Sequence, residues 1–184
     1  MAASETEAAA EPKPPGTLEE EAAKKGVAWP PPEVHLLVDK SDRRLWVYSG
    51  EIDLKVYRVG LGGTPEGDKV RQGDQRTPVG RFTVVTRNDR SHYHLFLGLS
   101  YPDAEDAERG LKEGLINTAE AAAIQAAAGT GAKPPWNTTL GGAIGIHGNG
   151  SGWDWTLGCV AVEDHEIEEI WAIAPHGTPV EIRE

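Results

Sequence analysis

A mainly β fold is what this chain predicts, on three observations. Its 184 residues hold 22 Gly and 13 Pro against one Met and two Phe, a balance of many turns and short strands that argues against a long helical bundle. From Val34 the apolar residues recur at every second position between turn clusters, the period of a half-buried strand. Helical character is confined to a stretch of about 103–135 and to one segment after the single cysteine. The length suits one domain with a tail.

Residues 1–33 are built from Ala, Glu, Lys and Pro with few apolar groups to bury, and are expected to be a disordered or linker tail. Within it, a short helix over Leu18–Lys25 and docking of Trp29 are the only ordered features in prospect. The domain proper is expected over 34–184. Val34, Leu36 and Val38 alternate with other residues, a turn follows at 40–43, and Leu45–Tyr48 completes a hairpin. Ile52–Val59 supplies a third strand and ends in the glycine-rich run 60–67. Arg81–Thr86 is a fourth, entered through Thr77-Pro78-Val79-Gly80, and Leu95–Tyr101 a fifth, giving an antiparallel meander.

Asp, Glu and Ala then dominate, with Thr118 placed to cap a helix over Ala119–Ala128 that Gly129 stops. Ala143–His147 and Gly158–Val162 read as short strands on either side of a loop at 148–157. Asp164 is placed to cap a last helix, in which Ile167, Ile170, Trp171 and Ala174 fall at helical spacing before Pro175, and Thr178–Ile182 forms a last strand.

Composition also excludes classes of function. The formal net charge of −11 is opposite to the basic footprint of a nucleic-acid binder, so nucleic acid is not an expected partner. One cysteine, Cys159, excludes an intrachain disulfide framework and any multi-cysteine zinc cluster. No stretch approaches the ~18–20 apolar residues of a membrane-spanning helix, so no transmembrane segment is expected.

The chemistry gathers around Ile146-His147-Gly148 and Thr156-Leu157-Gly158-Cys159-Val160, where twelve positions separate imidazole from thiol. A strand, loop and strand of that length brings its ends side by side. A thiol becomes a useful nucleophile when an imidazole takes its proton or an imidazolium stabilises the thiolate. Gly158 would let the backbone turn tightly and present N–H groups to a developing oxyanion. Spacing alone leaves open a buried, inert cysteine beside an unrelated histidine.

With these residues in view, Val34–Ile182 resembles the L,D-transpeptidase catalytic domain, the YkuD family of bacterial cell-wall enzymes. The family pattern is His-Gly or His-Ser, a loop, then Ser/Thr-His-Gly-Cys and an aliphatic residue, often followed by Arg or Asn. This chain offers His147-Gly148 and Thr156-Leu157-Gly158-Cys159-Val160-Ala161, and upstream Gly73-Asp74-Gln75-Arg76-Thr77-Pro78-Val79-Gly80 resembles the Thr-Pro-x-Gly segment entering a strand. Leu157 replaces a second histidine, and Ala161 replaces the Arg or Asn that contacts substrate. These departures, with Arg87-Asn88, Ser91-His92-Tyr93-His94 and Ser100-Tyr101-Pro102, are similar to the branch that includes a hydrolase detaching lipoprotein from peptidoglycan.

The resemblance implies a β-sandwich with a short helical insertion and one helix after the cysteine. It also implies acyl transfer on peptidoglycan stem peptides in the periplasm or cell envelope, with a wall-anchored lipoprotein as a further possible partner. Cys159 would be the nucleophile and His147 the proton carrier, with N–H groups near Leu157, Gly158 and Cys159 holding the oxyanion. An amine acceptor gives a crosslink, and water gives L,D-specific hydrolysis. Substrate contacts are expected from Thr156, Gly148, Trp155, Tyr93 and His94. A backbone carbonyl or hydroxyl near the motif would orient His147, with Asp154 as the alternative.

Other signals are bland beside this one. Gly62–Lys69 imitates a phosphate loop but lacks the glycine before Lys69 and the Ser/Thr after it. His92 and His94 could join His147 and Cys159 around zinc, yet a groove-lining role is the more ordinary one. No cofactor and no metal are therefore expected. Trp136, Trp153 and Trp155 are candidates for cleft walls or for core, and the acidic run 163–169 reads as a solvated helix face.

Overall fold

A computed structural model describes residues 16–184. In it, eight strands form one curled, mixed sheet, as a mainly β chain should, with four helices among the described residues. The hairpin of β1 (Val34–Asp39) and β2 (Arg44–Ser49) sets Leu36 opposite Val47 and Val38 opposite Leu45, and all four are fully buried. The alternation in sequence and the register thus select the same face. In β3 (Ile52–Arg58) a bulge skips Leu54, so Leu54 and Tyr57 both turn inward although three residues apart.

The long strand β4 (Gly80–Ser91) ties two halves of the sheet together. Its first residues pair with β8 (Pro179–Arg183), which lies parallel to β1, and the remainder pairs with β5 (His94–Leu99). Beyond β5 come β6 (Gly145–His147), antiparallel, and β7 (Val160–Ala161), parallel to β6. The expected antiparallel meander is therefore interrupted by two parallel pairs. β4 also outruns its expected end at Thr86, because its exposed Asn88, Asp89 and Arg90 carry no apolar period.

The sheet nearly closes on itself. Gly60, just past β3 at one edge, exchanges hydrogen bonds with Ala161 at the other edge, 2.9 Å from Gly60 N to Ala161 O and 2.8 Å in return. Glycine is required there, since a Cβ on Gly60 would fall 2.4 Å from the Trp153 carbonyl oxygen.

The tail expected over 1–33 is corrected from residue 16 onward; residues 1–15 lie outside the described residues. The helix α1 (Leu18–Lys24) begins in a reciprocal cap, with Glu20 N donating to Thr17 Oγ1 at 3.2 Å and Thr17 N to the Glu20 carboxylate at 2.9 Å. Leu18 and Ala22 are fully buried in the main core against β3, and Val27, rather than the exposed Trp29, docks beside them. The short helix in prospect over Leu18–Lys25 is thus present, while its burial was not foreseen, two apolar residues a turn apart being too weak a signal.

The insertion expected at about 103–135 contains two helices, α2 (Ala104–Lys112) and α3 (Thr118–Thr130). Asn117, not Thr118, caps α3, and the helix runs through Gly129 to a left-handed Gly131. Together they enclose a small core of Ala107, Ile116, Ala121, Ile124 and Leu140. The last helix, α4 (Asp164–Ile173), is preceded by Glu163, not Asp164, at the cap position; Ile167, Ile170 and Ala174 reach the main core as their spacing predicts, Ile173 joins them, and Trp171 is only partly buried. No helix among the described residues is long and apolar enough to cross a membrane.

Candidate active site

The residues of the motif meet where β6 and β7 run side by side. Period two places Gly145 and His147 on one face of β6 and Ile146 in the core, and the parallel register sets Val160 beside Ile146 and Ala161 beside His147. Cys159 is thereby carried opposite Gly145, on the face of His147. Both side chains line a cavity of about 820 Å³, together with Tyr93, Trp155, Thr156 and Leu157.

His147 is almost wholly buried, and Nδ1 lies 2.8 Å from the Gly148 carbonyl oxygen, which fixes the ring's orientation. Tyr93 stacks on the imidazole at 4.5 Å between centroids and Trp155 meets it edge-on at 5.6 Å. Burial pulls its pKa below the ordinary histidine value, against a smaller opposing pull from the Gly148 carbonyl. The half-buried Cys159 directs Sγ at the Ala143 carbonyl oxygen, 3.5 Å away. Burial pushes its thiol up to about 11, opposed by the Gly145 N–H and by the Lys69 ammonium. Burial thus favours the neutral form of both groups.

The turn before Cys159 is held from within. Thr156 Oγ1 donates to Cys159 O at 2.7 Å and accepts from Gly158 N at 3.1 Å. Gly158 has φ +139°, and a Cβ there would lie 2.7 Å from the Arg76 carbonyl oxygen and 2.9 Å from Ile144. That oxygen belongs to the segment Gly73–Gly80, which runs behind the turn; Thr77, fully buried, accepts from Gly62 N at 3.0 Å. Non-glycine residues with positive φ gather in this part of the fold at Gln75, His94, Ala143 and Asn149, as strained backbone does at functional sites.

The loop 148–157 is pinned on every side. Asp164 accepts from Asn149 N at 2.8 Å, and Glu163 accepts from Ser151 N at 2.9 Å and Ser151 Oγ at 3.0 Å. The start of the acidic run is thus a clamp on the loop, where a solvated face was expected. Asp154, the alternative orienter of His147, instead pairs with Arg43 at 2.9 Å and accepts from Leu61 N at 2.9 Å.

Of the residues expected to contact substrate, Thr156, Trp155 and Tyr93 line the cavity and two do not. Gly148 is packed away from it: its N–H donates to Tyr93 O at 3.0 Å, and a Cβ would strike Asp164 at 2.4 Å. Its part is played by its carbonyl on His147. His94 turns to α4, where Nε2 meets Glu168 at 2.7 Å, its backbone being left-handed (φ +69°) at the start of β5. Gly158 stands behind the cavity as a backbone turn. Trp153 is 71% exposed and walls nothing, whereas Trp136 lines the cavity.

Sequence reasoning missed the far wall. Lys69, Gln72 and Gln75 face the cavity from the loop before β4, as do Asn88, Ser91 and Phe96 from β4 and β5. Asp74 organises that loop, accepting from Lys69 Nζ at 2.8 Å, Val70 N at 2.8 Å, Arg71 N at 3.1 Å and Arg76 N at 3.0 Å. An Asp with free backbone N–H groups on both sides in sequence was the available signal. Among the described residues no group of three or more His, Cys, Asp or Glu side chains is placed to hold a metal ion.

Comparison with known proteins gives the same fold. The solved structure of the helical cell shape determining protein Pgp2 from Campylobacter jejuni superposes with a TM-score of 0.58 at 24% identity, covering 82% of this chain and 47% of that one. Bd1075 from Bdellovibrio bacteriovorus gives 0.55 at 19%, covering 85% and 49%. The chain thus spans about half the length of these structures. Comparison with curated protein sequences returns no match. The L,D-transpeptidase catalytic domain (YkuD) profile matches residues 33–182, which takes in all of the sheet but the last residue of β8 and both halves of the motif. The chain belongs to the L,D-transpeptidase catalytic domain family, YkuD.

Proposed function

We propose that this chain is a peptidoglycan L,D-transpeptidase that works through a Cys159 thioester. The observation that supports it most is the placement of a thiol and an imidazole on one cavity. The Cys159 thiol lines the same space as an imidazole whose Nδ1–H is committed to Gly148 O, which leaves Nε2 as the ring's proton acceptor. His147 takes the Cys159 proton as sulfur attacks the carbonyl of the L,D bond. The S–C bond forms, the C–N bond breaks, and the proton passes to the departing amine. A second substrate then opens the thioester: an amine gives a crosslink, water gives a shortened stem.

The oxyanion needs N–H donors, each worth roughly 2.7–4 kcal/mol in comparable sites. Gly158 N is not one of them, being bonded to Thr156 Oγ1, so the role falls to the N–H of Cys159 and to Leu157. One observation favours water as the acceptor. Ala161, where the family pattern has a polar substrate contact, is fully buried and bonded to Gly60, so it offers a substrate nothing. The L,D-specific hydrolase is accordingly the second reading. Stem peptides as substrate place the protein in the periplasm or cell envelope, with a lipoprotein joined to the wall as a further partner for the hydrolytic reading.

Incubation with disaccharide-tetrapeptide, followed by mass spectrometry, tests both. Transpeptidation gives dimers, hydrolysis gives tripeptide, and Cys159→Ala gives neither while keeping the wild-type circular dichroism. Products formed by the folded Cys159→Ala variant would overturn the mechanism.

A further inference from the structure

We infer that Lys69 is a specificity-determining residue that receives the C-terminal carboxylate of the residue departing from the stem peptide. The inference rests on the acyl-transfer reading and names the part of the substrate that the far wall recognises. The chain carries a formal charge of −11, yet the side chains lining the cavity include no carboxylate and one ammonium, Lys69. The residue is nearly inaccessible, at 2% exposure, and the cavity around it is lined by amides, glycines and aromatic rings. Its Nζ donates to Asp74 Oδ1 at 2.8 Å and to Arg71 O at 3.1 Å, and an ammonium has three donors.

Asp74 does not leave Lys69 free to move. Three backbone N–H groups and the ammonium surround the carboxylate, and Arg109 Nη2 reaches Lys69 O at 3.3 Å from α2, so the cation is fixed before substrate arrives. An ion pair serving the loop alone has no need of a place on the lining of the cavity that holds Cys159. The cation is also near enough to that thiol for its charge to favour the thiolate. The anionic group nearest a scissile L,D bond on the leaving side is the α-carboxylate of a C-terminal D-residue, one carbon from the departing nitrogen. A carboxylate on the diamino-acid side chain is the other source of the same chemistry and lies further away.

Binding to Cys159→Ala, measured by calorimetry, reads this contact without turnover. Three tetrapeptides serve as probes: the acid, its C-terminal carboxamide, and the peptide with the diamino-acid side-chain carboxylate amidated. The acid is expected to bind about ten- to a hundredfold more tightly than the C-terminal amide. In Lys69→Gln/Asp74→Asn on the same background, which leaves no buried lone carboxylate, the acid-to-amide ratio falls to near one. Lys69→Met/Asp74→Asn serves if that double variant does not fold, and Lys69→Arg, which keeps the charge, is expected to retain part of the preference. No acid preference with Lys69 present, a preference that survives in the folded variants lacking the charge, or one that follows the side-chain carboxylate overturns the assignment. Wild-type cleavage of the acid is measured in parallel: no cleavage with an intact binding preference overturns the acyl-transfer reading alone, and cleavage without a preference overturns the role of Lys69 alone.

Discussion

If Cys159 rests as a neutral thiol, its reactivity toward a small alkylating agent should be low where a catalytic cysteine in an ion pair would be high. Burial pushes the thiol up to about 11, against an ordinary value near ~8.5–9. At pH 7 to 8 this leaves on the order of a hundredfold less thiolate than an unperturbed cysteine carries, a cost of about 3 kcal/mol at ~1.4 kcal/mol per tenfold. Iodoacetamide labelling of the free protein, followed by intact mass against pH, should therefore be slow at neutrality and still rising at pH 10. His147→Ala should leave the free protein's labelling curve nearly in place, because a neutral ring whose own pKa is lowered by burial contributes no imidazolium to stabilise a thiolate. Turnover should behave oppositely and collapse in the same variant, since His147 acts when sulfur and carbonyl approach. The acid limb of turnover should also lie below the ordinary histidine value, the neutral base surviving to lower pH as its pKa is depressed. Labelling that is already fast at pH 6 to 7 in wild type, and slowed by His147→Ala, would refute the neutral pair and restore the thiolate–imidazolium alternative.

Two further outcomes test the scaffold. Leu18→Ala should lower stability by about 2–5 kcal/mol in urea denaturation, because Leu18 is fully buried in the main core; a change under 0.5 kcal/mol would return residues 16–33 to the status of a linker. Gly158→Ala should cost roughly 1–3 kcal/mol and cut turnover by about a hundredfold, since its methyl group meets the Arg76 carbonyl and displaces Cys159; wild-type turnover in that variant would show that the turn does not position the thiol.

How much of this was legible in the sequence depends on whether a residue's neighbours lie along the chain or across it. The hairpin of β1 and β2 was readable because Leu36, Val38, Leu45 and Val47 alternate and also face one another. His147 and Cys159 were readable because a single loop joins their strands. Lys69 was not, since the cavity it shares with Cys159 is closed by segments ninety residues apart in sequence, and in the chain it stands as one lysine after a false phosphate loop. His94 misled for the opposite reason. It lies one residue from Tyr93, which stacks on His147, but the left-handed turn at His94 (φ +69°) and the start of β5 send it to α4.

The closure of the sheet explains why the site lies where it does. Gly60 and Ala161 join the two sheet edges, and from that seam the chain leads within two residues to Cys159 on one side and to Gly62 on the other, where Thr77 and the Gln75 carbonyl are in contact. A Cβ on Gly62 would fall 2.1 Å from Gln75 O and 3.2 Å from the Gly158 Cα. The glycine-rich run after β3 therefore does not cradle a ligand. It lets three backbone segments approach more closely than side chains permit, and in doing so brings the loop of Lys69 and Asp74 to the back of the cysteine turn. The site then depends on long-range backbone contacts for its geometry and on the loop 148–157 for its sequence signature, so a substitution at Gly62 should disable the site while leaving the His-Gly and Gly-Cys motifs untouched.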